Sequence, residues 1–156
     1  FLTLYEQSLI RWSQIFINDL PVSMSSKSYA QKLYSTAMAD GTFLPLLIRL
    51  EHIIEHNVAI PRLISSKQIF IDQVDAIAEV TSIALTLNKP QAIEVVKTMG
   101  VLLIGATQGD QGPSLDNEEL PKDVRDLIES FSSEPLFTKN AARIIEGIRS
   151  ESFTET

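Results

Sequence analysis

The sequence predicts an all-α protein, an irregular bundle of about six or seven helices, and three observations carry that prediction. Apolar side chains recur every three or four residues along almost the whole chain, the spacing of one helical face. Breakers such as Pro21, Asp40-Gly41 and Asn88-Lys89-Pro90 interrupt these runs as turn signals. No alternating apolar–polar run is paired with a hairpin turn.

The first helix carries Leu2, Tyr5, Leu9, Trp12, Phe16 and Leu20 on one stripe and stops at Pro21, which lacks an amide donor and restricts the residue before it. Ser25 or Ser26 caps a second helix to about Ala39, and Asp40-Gly41 ends it, with Gly expected in the left-handed conformation past a helix. Thr42 is expected to cap a third helix whose apolar face is Phe43, Leu46, Leu47, Leu50, Ile53 and Ile54. Asn57 to Ile64 reads as a connector broken by Pro61, and Ser65 or Ser66 then caps a fourth helix to about Asn88. Its buried arc is expected to hold Ile69, Phe70, Val74, Ile77, Ala78, Val80, Thr81 and Leu85.

Pro90 suits the first turn of a fifth helix, where its missing N–H is not needed. From Met99 to Ala106 that helix is apolar on every side, which places it at the centre of the bundle, with Gly100 and Gly105 admitting close neighbours. Thr107 to Glu119 reads as the longest loop. Two shorter helices close the chain, about Pro121–Phe131 with Val124, Leu127, Ile128 and Phe131 on its apolar face, and about Pro135–Arg149 with Phe137, Ala141, Ile144, Ile145 and Ile148. Residues 1–149 form one domain on this reading, and 150–156 a frayed tail.

Pro45, Pro90 and Pro135 lie at equal intervals, each at a helix start. That period is the one found in armadillo and HEAT solenoids, so a short helical solenoid is the alternative architecture. Superposed on the prolines, only the column Ile54, Met99 and Ile144 matches in character, which favours the irregular bundle.

Composition bounds the function. The 13 Lys and Arg against 20 Asp and Glu give a net charge of −7. That balance lacks the basic face that phosphate neutralisation requires, so neither nucleic acid nor an anionic membrane is an expected partner. The absence of Cys excludes disulfides, thiolate metal sites, Fe–S clusters and Cys nucleophiles. The longest stretch without a charged side chain is Thr98–Gly109, far short of the roughly twenty residues of a membrane span. A cytoplasmic location is the corresponding expectation. The chain starts at Phe1 rather than Met, which suggests a trimmed, processed or fragmentary chain.

One string matches a catalytic pattern. His52-Ile53-Ile54-Glu55-His56 fits H-x-x-E-H, in which two histidines bind zinc and the Glu activates water in inverzincin metallopeptidases. Arg49 shares the face of the two histidines, opposite Leu47, Leu50 and Ile54, and a cation there disfavours a dication. A solvated helix face is therefore the expectation, with His52 and His56 the weak metal alternative. Gly105, Gly109 and Gly112 match neither phosphate-binding fingerprint, and no nucleophile elbow is present. No enzyme and no cofactor are expected.

Two functional readings remain. The first is a non-catalytic protein–protein interaction or scaffold module. Between Asp110 and Glu134 stand eight acids and two bases, so almost the whole net charge lies in this segment. Asp116, Glu118, Glu119, Asp123 and Asp126 would form a docking surface for a basic protein partner. The second is a sensor or carrier of a small apolar ligand, held between helices around Met99–Ala106. Tyr5, Trp12 and Phe16 fit core packing, whereas Tyr29 and Tyr34 fit either the core or a ligand pocket.

Overall fold

A computed structural model of the protein describes residues 1–50, 57–108, 110 and 119–151. Seven helices occur among the described residues: α1 (Leu2–Asp19), α2 (Ser26–Ala39), α3 (Phe43–Arg49), α4 (Ile60–Leu85), α5 (Lys89–Gln108), α6 (Lys122–Ser130) and α7 (Ser133–Ser150). No strand is present among them.

Five of the helices close a ring. α1 packs on α4, α4 on α5, α5 on α7, α7 on α2, and α2 returns to α1. The short α3 leans on α1, α2 and α5. This closure decides between the two expected architectures. In a solenoid each repeat touches only its neighbours. Here α2 lies against α7 at the other end of the chain, with the Ser26 hydroxyl bonded to the Glu146 carboxylate and the Tyr34 phenol 2.6 Å from the Ser133 hydroxyl. The equal proline spacing is a coincidence of turns.

Most helix ends follow local chemistry. Ser25 caps α2 by accepting from the Ser28 amide at 3.1 Å. Asp40 leaves α2 in an extended conformation, and no glycine among the described residues adopts positive φ, so the expected left-handed Gly41 is corrected. Asp40 rather than Thr42 caps α3. Its Oδ1 accepts from the amides of Thr42 at 3.0 Å and Phe43 at 3.1 Å. Burial opposes the Asp40 charge, but the Thr42 hydroxyl and amide, the Arg11 guanidinium and the Phe43 amide together hold its carboxyl below the usual range.

Of the expected connector from Asn57 to Ile64, residues 57–59 are non-helical as expected, but the rest is the first turn of α4. Pro61 opens that helix instead of breaking a loop, because the first amides of a helix have no partner to lose. Ser66 is consequently a buried mid-helix residue and not a cap. α4 ends at Thr86, in left-handed conformation with φ 54, and the Leu87 amide reaches back to the Ser82 carbonyl at 2.9 Å. Asn88 and Gln91 then cap α5 reciprocally, each side chain accepting from the other's amide at 2.9 and 3.1 Å.

The core runs along the inside of the ring. α1 buries Leu2, Tyr5, Leu9, Trp12 and Phe16, and α7 buries Phe137, Ala141, Ile145 and Ile148. Two expectations fail in informative ways. The stretch Met99–Ala106 is not the all-round buried centre of the bundle: Met99 and Leu103 face the core, but Val101 is 74 % exposed. A Cβ added at Gly100 or Gly105 would meet no atom within 4 Å, so neither glycine serves close packing. The apolar face of α6 is uncovered as well, with Val124, Leu127, Ile128 and Phe131 all exposed.

Candidate functional site

Inside the ring, between α1, α2, α3, α4 and α5, lies a cavity of about 350 Å³. Each helix contributes through the stripe that also forms its core face. α1 supplies Tyr5, Leu9 and Trp12, spaced four and three residues apart, and α2 supplies Tyr29 and Leu33. α3 adds Phe43 and Leu47. The first half of α4 contributes Leu63, Phe70, Val74 and Ile77, and α5 closes the wall with Val96, Met99, Leu103 and Ile104.

Stacked rings build the α1 side. Trp12 stacks on Phe43 with centroids 4.5 Å apart and on Phe16 at 5.5 Å, and Phe16 meets Tyr29 edge-on at 5.6 Å. The indole N–H of Trp12 donates to the Thr36 hydroxyl at 3.3 Å, which ties the ring to α2. Tyr29 is buried, its hydroxyl 2.7 Å from the hydroxyl of Thr81. Burial pushes its phenol far up against the smaller opposing effect of Thr81, so it stays neutral at any physiological pH. Gly100 lines the opposite wall, where a larger side chain would project into open space.

The α4 side is anchored at its N-terminal end. Arg62 donates to both oxygens of Glu6 on α1, at 2.5 and 2.9 Å. The Arg62 guanidinium, helped by the Ser66 hydroxyl and opposed by burial, holds the Glu6 carboxyl below its usual range. The polar side chains that line the cavity are few: Ser66, Lys67, Gln73 and Lys97, with the two phenols and the indole. No His, Asp or Glu stands among the described lining residues. Such a chamber suits an apolar ligand; the described wall supplies no carboxylate or imidazole for acid–base work.

A second depression lies outside, between α1 and α2, lined by Arg11, Asp19, Lys32 and Asp40 among others. Its charges answer one another, Arg11 to Asp40 at 3.0 Å and Lys32 to Asp19 at 3.8 Å, and it opens broadly to solvent.

The ligand region expected around Met99–Ala106 does line the cavity, through Met99, Gly100, Val101, Leu103 and Ile104. The acidic and histidine residues singled out from the sequence do not stand among its described lining residues. Glu119 is exposed, and Asp123 and Asp126 are exposed on α6; none lines the cavity. Asp116 and Glu118 lie outside the described residues, as do His52 and His56. No group of three or more potential metal ligands occurs among the described residues. Asp110 is engaged structurally, accepting from the Ser133 hydroxyl and, at 3.4 Å, from its amide at the start of α7. The tyrosine pair divides: Tyr29 faces the cavity, and Tyr34 packs its ring on Phe137. Sequence reasoning found the Tyr5–Leu9–Trp12 stripe but read it as solid core. The one local signal for a void was Gly100 within an apolar helix.

Comparison with known proteins supplies an independent line. The family model described as tetracyclin repressor-like, C-terminal domain, matches residues 6–151. The chain belongs to that family. No curated protein matches the chain. Membership corrects two expectations. The scaffold reading gives way, because the C-terminal domain of such repressors is the ligand-binding, regulatory part. The exclusion of nucleic acid, and with it a basic protein as the expected partner, also gives way, since repressors of this family act on DNA. The net charge of −7 describes the surface of this domain; it does not set the partners of a repressor that carries it. No helix among the described residues is long and apolar enough to cross a membrane.

Proposed function

We propose, starting from that membership, that this domain is the small-molecule sensor of a DNA-acting repressor, and that its ligand binds in the chamber between α1 and α5. The observation that carries the reading is the cavity itself. At about 350 Å³ it falls within the usual range of small-molecule sites, about 300–1,000 Å³, and its wall is apolar and aromatic with a few polar groups. The domain is regulatory and non-enzymatic on this reading. It works in the cytoplasm, and contact with DNA is made outside these acidic residues. Recognition draws on apolar burial, about 0.8 kcal/mol for each methylene removed from water. That gain has to exceed an association cost of about 4 kcal/mol or more, so a ligand with only a few carbons would not be held.

Trp12 is the only tryptophan and it lines the chamber, so its emission reports occupancy directly. Titration with decanol is expected to shift that emission and raise the melting temperature, saturably. Gly100→Leu, which places a side chain in open space toward the chamber, is expected to keep the fold and abolish both responses. An unchanged response in Gly100→Leu, or none in the parent protein with decanol or with decanoate, would overturn the reading.

A further inference from the structure

Most polar groups on the chamber wall are already engaged. The indole N–H of Trp12 donates to Thr36, the phenol of Tyr29 meets Thr81, and the Ser66 hydroxyl supports the Glu6 carboxylate. Tyr5 and Lys67 each have a partner within the protein as well. Lys97 is exposed, and water hydrates its ammonium. Gln73 is different. It lines the chamber, it is half-buried, and its side-chain amide makes no hydrogen bond with any described residue. The contrast with Gln68 is direct: exposed on the same helix, it donates to Asp72 at 3.2 Å.

Position explains the difference. Ser66, Phe70, Gln73 and Ile77 follow one another at four, three and four residues, so Gln73 stands on the inward stripe of α4. An apolar side chain there would complete the wall. A carboxamide instead gives up hydration without gaining a protein partner, a cost that packing does not require. A ligand that bonds the amide removes that cost.

We infer that Gln73 selects the ligand: the chamber takes an apolar molecule whose uncharged head both donates and accepts hydrogen bonds, as a primary carboxamide or a lactam does. The inference rests on the chamber being the ligand site. A glutamine amide presents a carbonyl acceptor beside an N–H donor, and a second amide can meet both at once. An ester offers only acceptors and leaves the Gln73 carbonyl unpaired. A carboxylate lacks the donor as well and would bring a charge against an apolar wall.

Decanamide, decanol and methyl decanoate, each titrated against Trp12 emission at neutral pH, separate the possibilities. Decanamide is expected to bind most tightly, about tenfold ahead of methyl decanoate, as one more neutral hydrogen bond implies. Decanol should fall between them. Gln73→Leu keeps a similar volume and removes both hydrogen-bonding groups. It should weaken decanamide by roughly tenfold and leave methyl decanoate within about threefold, so that the preference disappears. Gln73→Glu keeps the shape and the acceptor but loses the donor, so it should weaken methyl decanoate more than decanamide; it decides the matter if Gln73→Leu does not fold. Methyl decanoate binding as tightly as decanamide, a decanamide preference that survives Gln73→Leu, or equal weakening of the two in Gln73→Glu would overturn selection by Gln73 while leaving the chamber as the ligand site. Binding of none of the three would overturn both.

Discussion

The two halves of α4 differ more than their sequences do. Beyond Ile77 the inward face is packed, with Ala78, Thr81, Ala84 and Leu85 all buried. Up to Ile77 only Ser66 and Ile77 are buried, and Leu63, Phe70, Val74 and Ile77 face the chamber. Both halves carry apolar residues at helical spacing, so the pattern marks the inward face equally well in each. What differs is the opposing surface. Small residues such as Ala78 and Ala84 let neighbouring helices approach the second half. The first half stands opposite stacked aromatic rings and Gly100, which leave space between the walls. One helix thus has a packed end and a hollow end.

Truncating one apolar side chain at each end of α4 tests that contrast most severely. Leu85 is fully buried on the packed half, so Leu85→Ala is expected to cost about 2–5 kcal/mol in urea unfolding. Phe70 is 38 % exposed beside the chamber, and Phe70→Ala should cost about 1 kcal/mol or less. Equal losses would mean that the two ends are packed alike and that the chamber is closed in solution.

A smaller effect comes from the clamp at the hollow end. Because Arg62 lowers the Glu6 carboxyl, the folded state binds the Glu6 proton less readily than the unfolded chain does. This contribution is complete above the ordinary glutamate pKa of about 4.3 and is lost as pH falls below it toward the folded value. Glu6→Gln should cost about 1–2 kcal/mol at neutral pH and flatten the acid limb of the stability profile. The same acid limb in parent and variant would show that Glu6 is not the group responsible.

The smallest change is a gain. A Cβ at Gly105 meets nothing within 4 Å on an exposed helical face, so Gly105→Ala should stabilise by about 0.5–1 kcal/mol through helix propensity alone. A loss would restore the close-approach role that the sequence suggested for this glycine.

Helix identity was legible almost throughout, because a 3.6-residue period and proline or capping signals are local. The α1 stripe and the α7 stripe were read residue by residue, and Ser25 was one of the two caps expected for α2. Pro61 was misread because a proline that ends one helix and a proline that begins another are the same residue in the same polar-to-apolar setting. The Asn88–Gln91 cap was visible in principle, as an Asx residue with Gln three positions later. The candidate site was legible in part: an apolar ligand was expected around Met99–Ala106, which forms the α5 wall, but the α1 wall was read as core and the acidic residues offered as a surface lie on other elements. α6 and α7 make the same point at the surface. Each has an apolar face, yet α7 buries Phe137, Ala141 and Ile145 while α6 leaves Leu127 58 % exposed.

By itself, then, the sequence determined an all-helical chain, the inward stripe of most of its helices, and an acidity concentrated between Asp110 and Glu134. Periodicity and charge are properties of neighbouring residues, and they survive without knowledge of what lies opposite. Only the tertiary structure decided that α2 returns to α7 and closes a ring, and that Tyr5, Trp12 and Phe70 look into a chamber rather than into one another. A cavity is the volume left when several surfaces fail to meet, and no single stretch of sequence specifies the surfaces on its far side.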